Sequence, residues 1–307
     1  HHKPSRMLLL PAFTPQRIDL LIPEARRICN ELLDALEGRA AADAAVDYAQ
    51  HIPVKVIAKL LGIPEAEGDR FRSWIHVFIE DTIVDDGTSA ERFVATAREM
   101  DDFFAHYAAL RRQSPQDDLI SFLLAARHNG EPLTERHFFG TLRLLLIAGI
   151  DTTWSAIGSS LLHLATHPDD CMRLVRDPTL MPTAVEELLR AYAPVTMARR
   201  VAGDTEVSGC PMKAGEWVLL SFPAANRDPE VFPDPDEVVL DREDNRHAAF
   251  GLGIHRCIGS NLARMEITVA LEEWLKRYPR FTLQPNARIE WSQGPVRGPR
   301  TVPVLLR

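Results

Sequence analysis

Between Thr134 and Pro168 the chain contains no proline. As one helix, that stretch makes a rod about 50 Å long at 1.5 Å per residue. Few domains need such a rod, and the rest of the fold has to be built around it. The flanking sequence also reads as helix. Residues 18–36 carry apolar side chains at three- and four-residue spacing before Gly38, and residues 46–61 do the same before Gly62-Ile63-Pro64. Residues 90–110 and 117–127 predict two more helices, and Asn129-Gly130 a turn. Near Val195 the character changes. Val207-Ser208-Gly209, residues 217–221, 281–283 and 302–305 read as short strands, and residues 226–244 as an irregular loop rich in Pro, Asp and Glu. A last helix is expected over residues 258–278, with Leu262, Met265 and Val269 on one stripe. No repeat, low-complexity tract or clean linker divides the chain. Residues 1–307 therefore predict one continuous domain, mainly α with minor β structure.

Composition removes several classes of function. The 307 residues carry 35 Lys plus Arg against 43 Asp plus Glu, a net charge of −8, and no basic tract that could neutralise phosphates. No nucleic-acid partner is expected. The longest charge-free aliphatic run, residues 144–150, is far shorter than the roughly 20 residues a bilayer demands, so no membrane partner is expected either. The start, His1-His2-Lys3-Pro4-Ser5-Arg6, lacks the apolar core of a secretory signal. Cys29, Cys171, Cys210 and Cys257 are scattered, with no Cys-x-x-Cys pair. A cytoplasmic location with reduced thiols is the expectation.

One short stretch carries chemistry: Phe250-Gly251-Leu252-Gly253-Ile254-His255-Arg256-Cys257-Ile258-Gly259. Two glycines make a tight turn, and a single cysteine follows where the last helix should begin. Free N–H groups and the partial positive charge of a helix N-terminus stabilise a thiolate and lower its pKa. Gly259 leaves nothing bulky in the first turn, so a flat ligand could approach the sulfur. A lone thiolate with no second ligand nearby suits a metal held mainly by another chelator. The bland alternative is a buried, inert cysteine beside a glycine turn.

Phe-Gly-x-Gly-x-His-x-Cys-x-Gly resembles the haem-binding loop of the cytochromes P450, in a bacterial form. The resemblance implies a P450-like fold and heme b, iron protoporphyrin IX, as cofactor. Cys257 would be the axial metal ligand and His255 a propionate partner, with Phe250, Gly251 and Gly259 around the cofactor. In this family the thiolate pushes electron density toward O–O cleavage.

The middle of the long helix contains Ala148-Gly149-Ile150-Asp151-Thr152-Thr153. Gly, Asp and Thr are all poor helix formers, and Thr hydroxyls can bond back to carbonyls and distort a helix. Read alone, the segment is equally a kink with a buried Asp held by a salt bridge. It also resembles the P450 oxygen-activation motif. Under that resemblance Thr152 is the hydroxyl that positions water beside dioxygen, Asp151 feeds it protons, and Ala148 and Gly149 leave room above the cofactor. An intact acid–alcohol pair points to O2-dependent chemistry rather than peroxide-driven chemistry.

Three further matches extend the resemblance across the chain. Glu187-Leu188-Leu189-Arg190 sets an acid and a base at i,i+3. The family's Glu-x-x-Arg pair joins a third residue, here assigned as Arg242, while Glu186 at i,i+4 could compete for Arg190. Arg199 matches a propionate-pairing arginine, with Arg200 as the rival. His2 and Arg6 match a His and Arg four apart that hold a propionate before Pro-Ala-Phe. Pro4 departs from that pattern, and His1-His2 also fits the end of an expression tag. The family has roughly a hundred residues ahead of this point, so the chain reads as a P450 fold truncated at its N-terminus.

The activity implied is monooxygenation: one oxygen atom from O2 enters a small or medium apolar organic substrate. Electrons come from a ferredoxin or other electron-transfer protein with its reductase, because the chain has neither a dinucleotide loop nor cluster-type cysteine spacing. Arg256 and Arg264 are candidates for the docking face. The alternatives are a haem-binding chain impaired in turnover, a peroxide-driven haem-thiolate enzyme, and a helical scaffold with an inert Cys257.

Overall fold

A computed structural model describes residues 2–79 and 88–306 of the chain; His1 lies outside the described residues. The helices are α1 (His2–Leu9), α2 (Pro15–Asp19), α3 (Ile22–Asp34), α4 (His51–Leu61), α5 (Gly68–Ile79), α6 (Ser89–Gln113), α7 (Leu119–Ala125), α8 (Glu135–Thr166), α9 (Pro168–Arg176), α10 (Met181–Ala191), α11 (Phe222–Ala225) and α12 (Ser260–Arg277). The proline-free rod is α8, 32 residues long. Thr134 caps it by accepting the His137 N–H at 3.2 Å. Pro168 opens α9 at the other end, where a missing N–H costs nothing.

The helix that was expected over residues 18–36 is split into α2 and α3, because Pro23 sits in the first turn of α3. Residues 46–61 likewise divide into a π-turn, Ala44–Ala49, and α4, with Pro53 in the first turn of α4. Gly62 ends α4 in the left-handed region at φ 70°. The periodicity reading passes over α5, although its buried Phe71, Trp74 and Ile75 stand at i, i+3 and i+4.

The β structure is small and antiparallel throughout. The strands are β1 (Ala41–Asp43), β2 (Arg127–His128), β3 (Glu131–Pro132), β4 (Thr196–Arg200), β5 (Thr205–Val207), β6 (Cys210–Met212), β7 (Trp217–Ser221), β8 (Thr282–Leu283) and β9 (Pro303–Leu305). β9 lies between β1 and β8, with Ala42 opposite Val304 and Thr282 opposite Leu305. β4 pairs with β7, Arg199 facing Val218. Of the expected strand Val207-Ser208-Gly209 only Val207 is extended. Ser208 and Gly209 have positive φ and turn β5 into β6.

Helix α8 is the spine of the core, with α4 and α12 packed on it and α3 on α12. By length and composition α8 could cross a membrane, but two thirds of its most apolar stretch is buried inside this fold. Tyr48, fully buried, donates to the Ala270 carbonyl at 2.8 Å and ties the π-turn to α12. The C-terminal segment lies directly on α8. A Cβ at Gly298 would come within 2.6 Å of the Ser155 Cα, so only glycine allows that approach.

Candidate functional site

The cysteine loop folds back on itself before α12. Gly251 and Gly253 both take positive φ, 66° and 65°, as the two-glycine turn requires. The Gly251 N–H donates to Ala248 O at 2.8 Å, and the Cys257 N–H to Phe250 O at 2.7 Å. Phe250 and Cys257 are thereby locked at the mouth of a closed loop. The last helix begins at Ser260, not at residue 258, with Gly259 as its cap. Cys257 therefore stands ahead of the helix and loses part of the expected electrostatic help. Although the residue reaches solvent, the protein packed around the sulfur pushes the thiol's pKa up. That burial outweighs the Gly259 N–H and the charges of Arg6, Arg256 and Arg264, which pull it down. The expected lowering of the thiol is thus corrected. Cys29 and Cys171 are buried, and burial pushes their thiols higher still, to about 12 and about 11.

The N-terminal pair reaches the same place. Pro4 is accommodated inside α1, with His2 still in the helix. The His2 and His255 rings are 4.1 Å apart, centroid to centroid. Of the two rival arginines, Arg200 is folded onto the turn ahead of β7, donating from Nε to Gly215 O at 3.2 Å. Arg199 lies exposed on β4, and its Nη1 donates to the Ala198 carbonyl.

The middle of α8 is helical without a break. Thr152 nonetheless bonds back as its chemistry dictates, donating to Ala148 O at 2.8 Å. Leu144 (61 % exposed), Ala148 (exposed) and Thr152 (half-buried) form an i, i+4, i+8 stripe on a helix that is otherwise mostly buried. Gly149 points toward α4. A Cβ there would meet only Ile57 Cδ1, at 3.6 Å, so the space it leaves is real but bounded on that side.

Asp151 faces elsewhere. It is buried, and its Oδ1 lies 2.8 Å from Nη2 of Arg300. The salt-bridged buried Asp that the sequence left open is therefore present alongside the motif. Arg300 also stacks on Trp154 at 4.3 Å and approaches Ser155 Oγ at 3.4 Å. Asp151 and Arg300 line a cavity of about 420 Å³ with Gln50, Arg72, His76 and Trp154; no cysteine-loop residue lines it.

Comparison with known proteins decides the family. The sequence profile described as Cytochrome P450 matches residues 69–296. Mycinamicin IV hydroxylase/epoxidase of Micromonospora griseorubida is 38 % identical over 99 % of this chain and 77 % of its own length. Vitamin D(3) 25-hydroxylase of Pseudonocardia autotrophica is 37 % identical over 92 % of this chain and 69 % of its own. The solved structure of the bacillaene polyketide synthase cytochrome P450 PksS of Bacillus subtilis superposes with a TM-score of 0.92. It has 37 % identity over 98 % of this chain and 78 % of that one.

The chain belongs to the cytochrome P450 family. It is a P450-type monooxygenase, an oxidoreductase of a haem-dependent family, and its fold is the mainly helical P450 fold. The residues present fit the P450 cofactor. Leu252 and Ile254 of the cysteine loop are 68 % and 75 % exposed, and Leu144 and Ala148 on α8 are exposed as well. Large apolar side chains left uncovered beside a reachable sulfur are what a flat, apolar macrocycle would cover. Imidazole and guanidinium groups stand near the same loop, as anionic propionates require.

Behind the P450 cysteine loop lies the Glu-x-x-Arg network. Arg190 uses all five N–H donors: two on the Glu187 carboxylate at 2.8 Å each, and three on the carbonyls of Asn226, Pro235 and Glu237. Glu187 accepts as well from Arg242 Nε at 3.0 Å, Asn245 Nδ2 at 3.0 Å and the Val239 N–H at 2.8 Å. Arg242 is therefore the third member. Glu186 does not compete for Arg190; it turns away to Arg264 and His247. Arg264, one candidate for the docking face, is half-buried and paired with Glu186, while Arg256, the other, is exposed.

Sequence reasoning missed Arg300, Asn226 and His247. Asn226 is fully buried; its Oδ1 accepts the Ala248 N–H at 2.6 Å and its Nδ2 donates to Arg190 O. That side chain bridges α10 to the cysteine loop. The signal available was an Asn in a loop that otherwise looked merely irregular.

Burial lifts the pKa of Glu186, but the hydrogen bonds from Arg264 and His247 outweigh it and hold the carboxyl at about 2 rather than 4.5. A depressed carboxylate stabilises the fold above its unfolded value and loses that contribution as pH falls toward its folded value. Urea midpoints should therefore be flat in this contribution above pH 4.5 and decline below it. Glu186→Gln should remove on the order of 3 kcal/mol at neutral pH and flatten the decline. A pH dependence identical in both proteins would refute the assignment.

Proposed function

We propose that this P450 is a haem-thiolate monooxygenase ligated through Cys257. It inserts one oxygen atom from O2 into a small or medium apolar organic substrate and releases the other as water. Two electrons come from a separate ferredoxin or other electron-transfer protein and its reductase, and the chain works as a single haem domain in the cytoplasm. The cofactor is heme b. The observation that carries the reading is the cysteine loop, in which one reachable sulfur is bordered by uncovered apolar side chains and by His2, Arg6 and His255.

Haem, when bound, supplies the activation of dioxygen, and a thiolate ligand favours O–O cleavage. The protein's residues do the rest. Cys257 provides the thiolate; Gly259 keeps the approach clear and lends its N–H to the sulfur. His2, Arg6, Arg199 and His255 bind the propionates, and Phe250 and Gly251 shape the loop. Ala148 and Gly149 leave the α8 surface low, and Leu144 offers an apolar wall to substrate.

Asp151 and Thr152 are consecutive, so helical geometry turns their side chains about 100° apart. Asp151 faces the cavity it shares with Arg300, and Thr152 shares the face of Leu144 and Ala148. That division suits proton transfer from the cavity side to the reaction side, with the Thr152 hydroxyl holding a water. Relay through Asp151 requires its carboxylate to leave Arg300 for part of the cycle. The intact pair favours O2-dependent over peroxide-driven turnover.

Thr152→Ala tests this directly. NADPH consumption with a reconstituted redox chain should continue, while product per NADPH falls roughly tenfold or more. Unchanged coupling removes the role assigned to Thr152. Haem content of one equivalent per chain tests the cofactor.

A further inference from the structure

We infer that Glu186, His247 and Arg264 form a second clamp, separate from the Glu187 network, that positions the thiolate loop by gripping Phe250. The inference rests on Cys257 being the iron ligand.

Three elements meet at Glu186. Its own helix is α10, Arg264 comes from α12, and His247 from the segment leading into the cysteine loop. Arg264 forks onto the carboxylate, Nε to Oε1 at 2.5 Å and Nη2 to Oε2 at 2.8 Å. His247 Nε2 lies 3.0 Å from the same Oε2. The His247 Nδ1 accepts the Ala249 N–H at 3.2 Å, which fixes the proton on Nε2 and makes that nitrogen the donor to Glu186. The imidazole is thus pinned at both ends.

The clamp closes on one ring. The Arg264 guanidinium lies 4.5 Å from the Phe250 centroid, and the His247 ring stands 6.0 Å from it. Phe250 in turn accepts the Cys257 N–H through its carbonyl, at 2.7 Å. A shift of Phe250 therefore carries the sulfur with it.

Position alone argues against an ordinary surface ion pair. The side chain of His247 is 3 % exposed, and those of Arg264 and Glu186 are 28 % and 29 % exposed. A bidentate guanidinium–carboxylate pair at such a site fixes direction as well as distance. The neighbouring carboxylates act on different parts of the chain. Glu187 locks the loop of residues 226–245, and Glu186 locks the ring at the mouth of the cysteine loop. These are positioning residues; none needs to touch the cofactor.

The test uses the haem-loaded full chain carrying Cys210→Ser, so that Cys257 is the one exposed thiol among the described residues. Ferrous–CO spectra report the sulfur–iron bond. Alkylation, followed site by site by mass spectrometry, reports Cys257 against Cys29 and Cys171, the buried internal controls. Glu186→Gln and His247→Leu should each convert more than half of the red-shifted CO band to the unshifted form. Each should also speed Cys257 alkylation about tenfold, the effect of a 1.4 kcal/mol change in opening. Cys29 and Cys171 should stay protected. Arg264→Lys, which keeps the charge but loses the fork and the flat stack, should fall between. Alkylation of Cys29 and Cys171 rising to the rate of Cys257 would mean general unfolding and would overturn the positioning role. So would an unchanged band and an unchanged Cys257 rate. A parent protein with no red-shifted band would instead defeat the assignment of Cys257 as ligand.

Discussion

Cys257→Ala should abolish the red-shifted ferrous–CO band completely while leaving the helical fold in place. That band would require a thiolate to hold the haem iron. Among the other cysteines, Cys29 and Cys171 are buried in the core with raised pKa values, and Cys210 sits on β6, an exposed hairpin. None can substitute by a side-chain rotation. The loop itself should survive, because it is closed by main-chain bonds from Cys257 N to Phe250 O and from Gly251 N to Ala248 O, which alanine keeps. A small, partly exposed side chain outside any helix costs little stability, within about 0.5 kcal/mol. The expected pair of results is therefore no red-shifted band and, with both proteins haem-free, a urea midpoint near that of the parent. Persistence of the band would transfer the ligand role to another residue.

Glu187→Gln should be the most damaging substitution for folding. Glu187 and Arg190 are both fully buried, and Arg242 is nearly so. The carboxylate is the only anion the structure places between the two guanidinium groups among the described residues. Removing its charge leaves two buried cations without a counter-ion, and it aims an amide N–H₂ at one of them. Breaking one partner of a buried pair costs about 3–5 kcal/mol, a large part of the stability of a whole domain. Little folded, haem-loaded protein should be recovered, and far-UV circular dichroism should show reduced helix. Near-normal yield and stability would show that Asn226, Asn245 and the loop carbonyls hold the region unaided. Arg190→Lys should fail as well, since an ammonium cannot serve five separate acceptors.

The two neighbouring acids make the same point about specificity. Adjacent on α10, they face different networks, and exchanging their roles is impossible without turning the helix by about 100°. The i,i+3 spacing of Glu187 and Arg190 was enough to propose their pairing. Nothing local distinguished Glu186 as the anchor of Arg264, which lies 78 positions away, or of His247, 61 positions away. Arg300 is the sharper case. Its approach to Asp151 depends on Gly298 lying against the backbone of α8, a contact set by the path of the C-terminal segment.

The sequence by itself determined the features that one short stretch of chain can encode. These are the rod from Thr134 to Pro168, the two-glycine cysteine loop, the back-bonded Thr152, and the Glu187–Arg190 pair. Each depends on spacing, on backbone freedom, or on groups a few residues apart, so local physics suffices. Tertiary structure alone decided that Asp151 would be held by Arg300 and that Arg264 would pair with Glu186. It also placed Cys257 just ahead of its helix, with a thiol raised rather than lowered. Those outcomes turn on burial and on which distant charges arrive, and both are set only when the packed helices bring separate parts of the chain together.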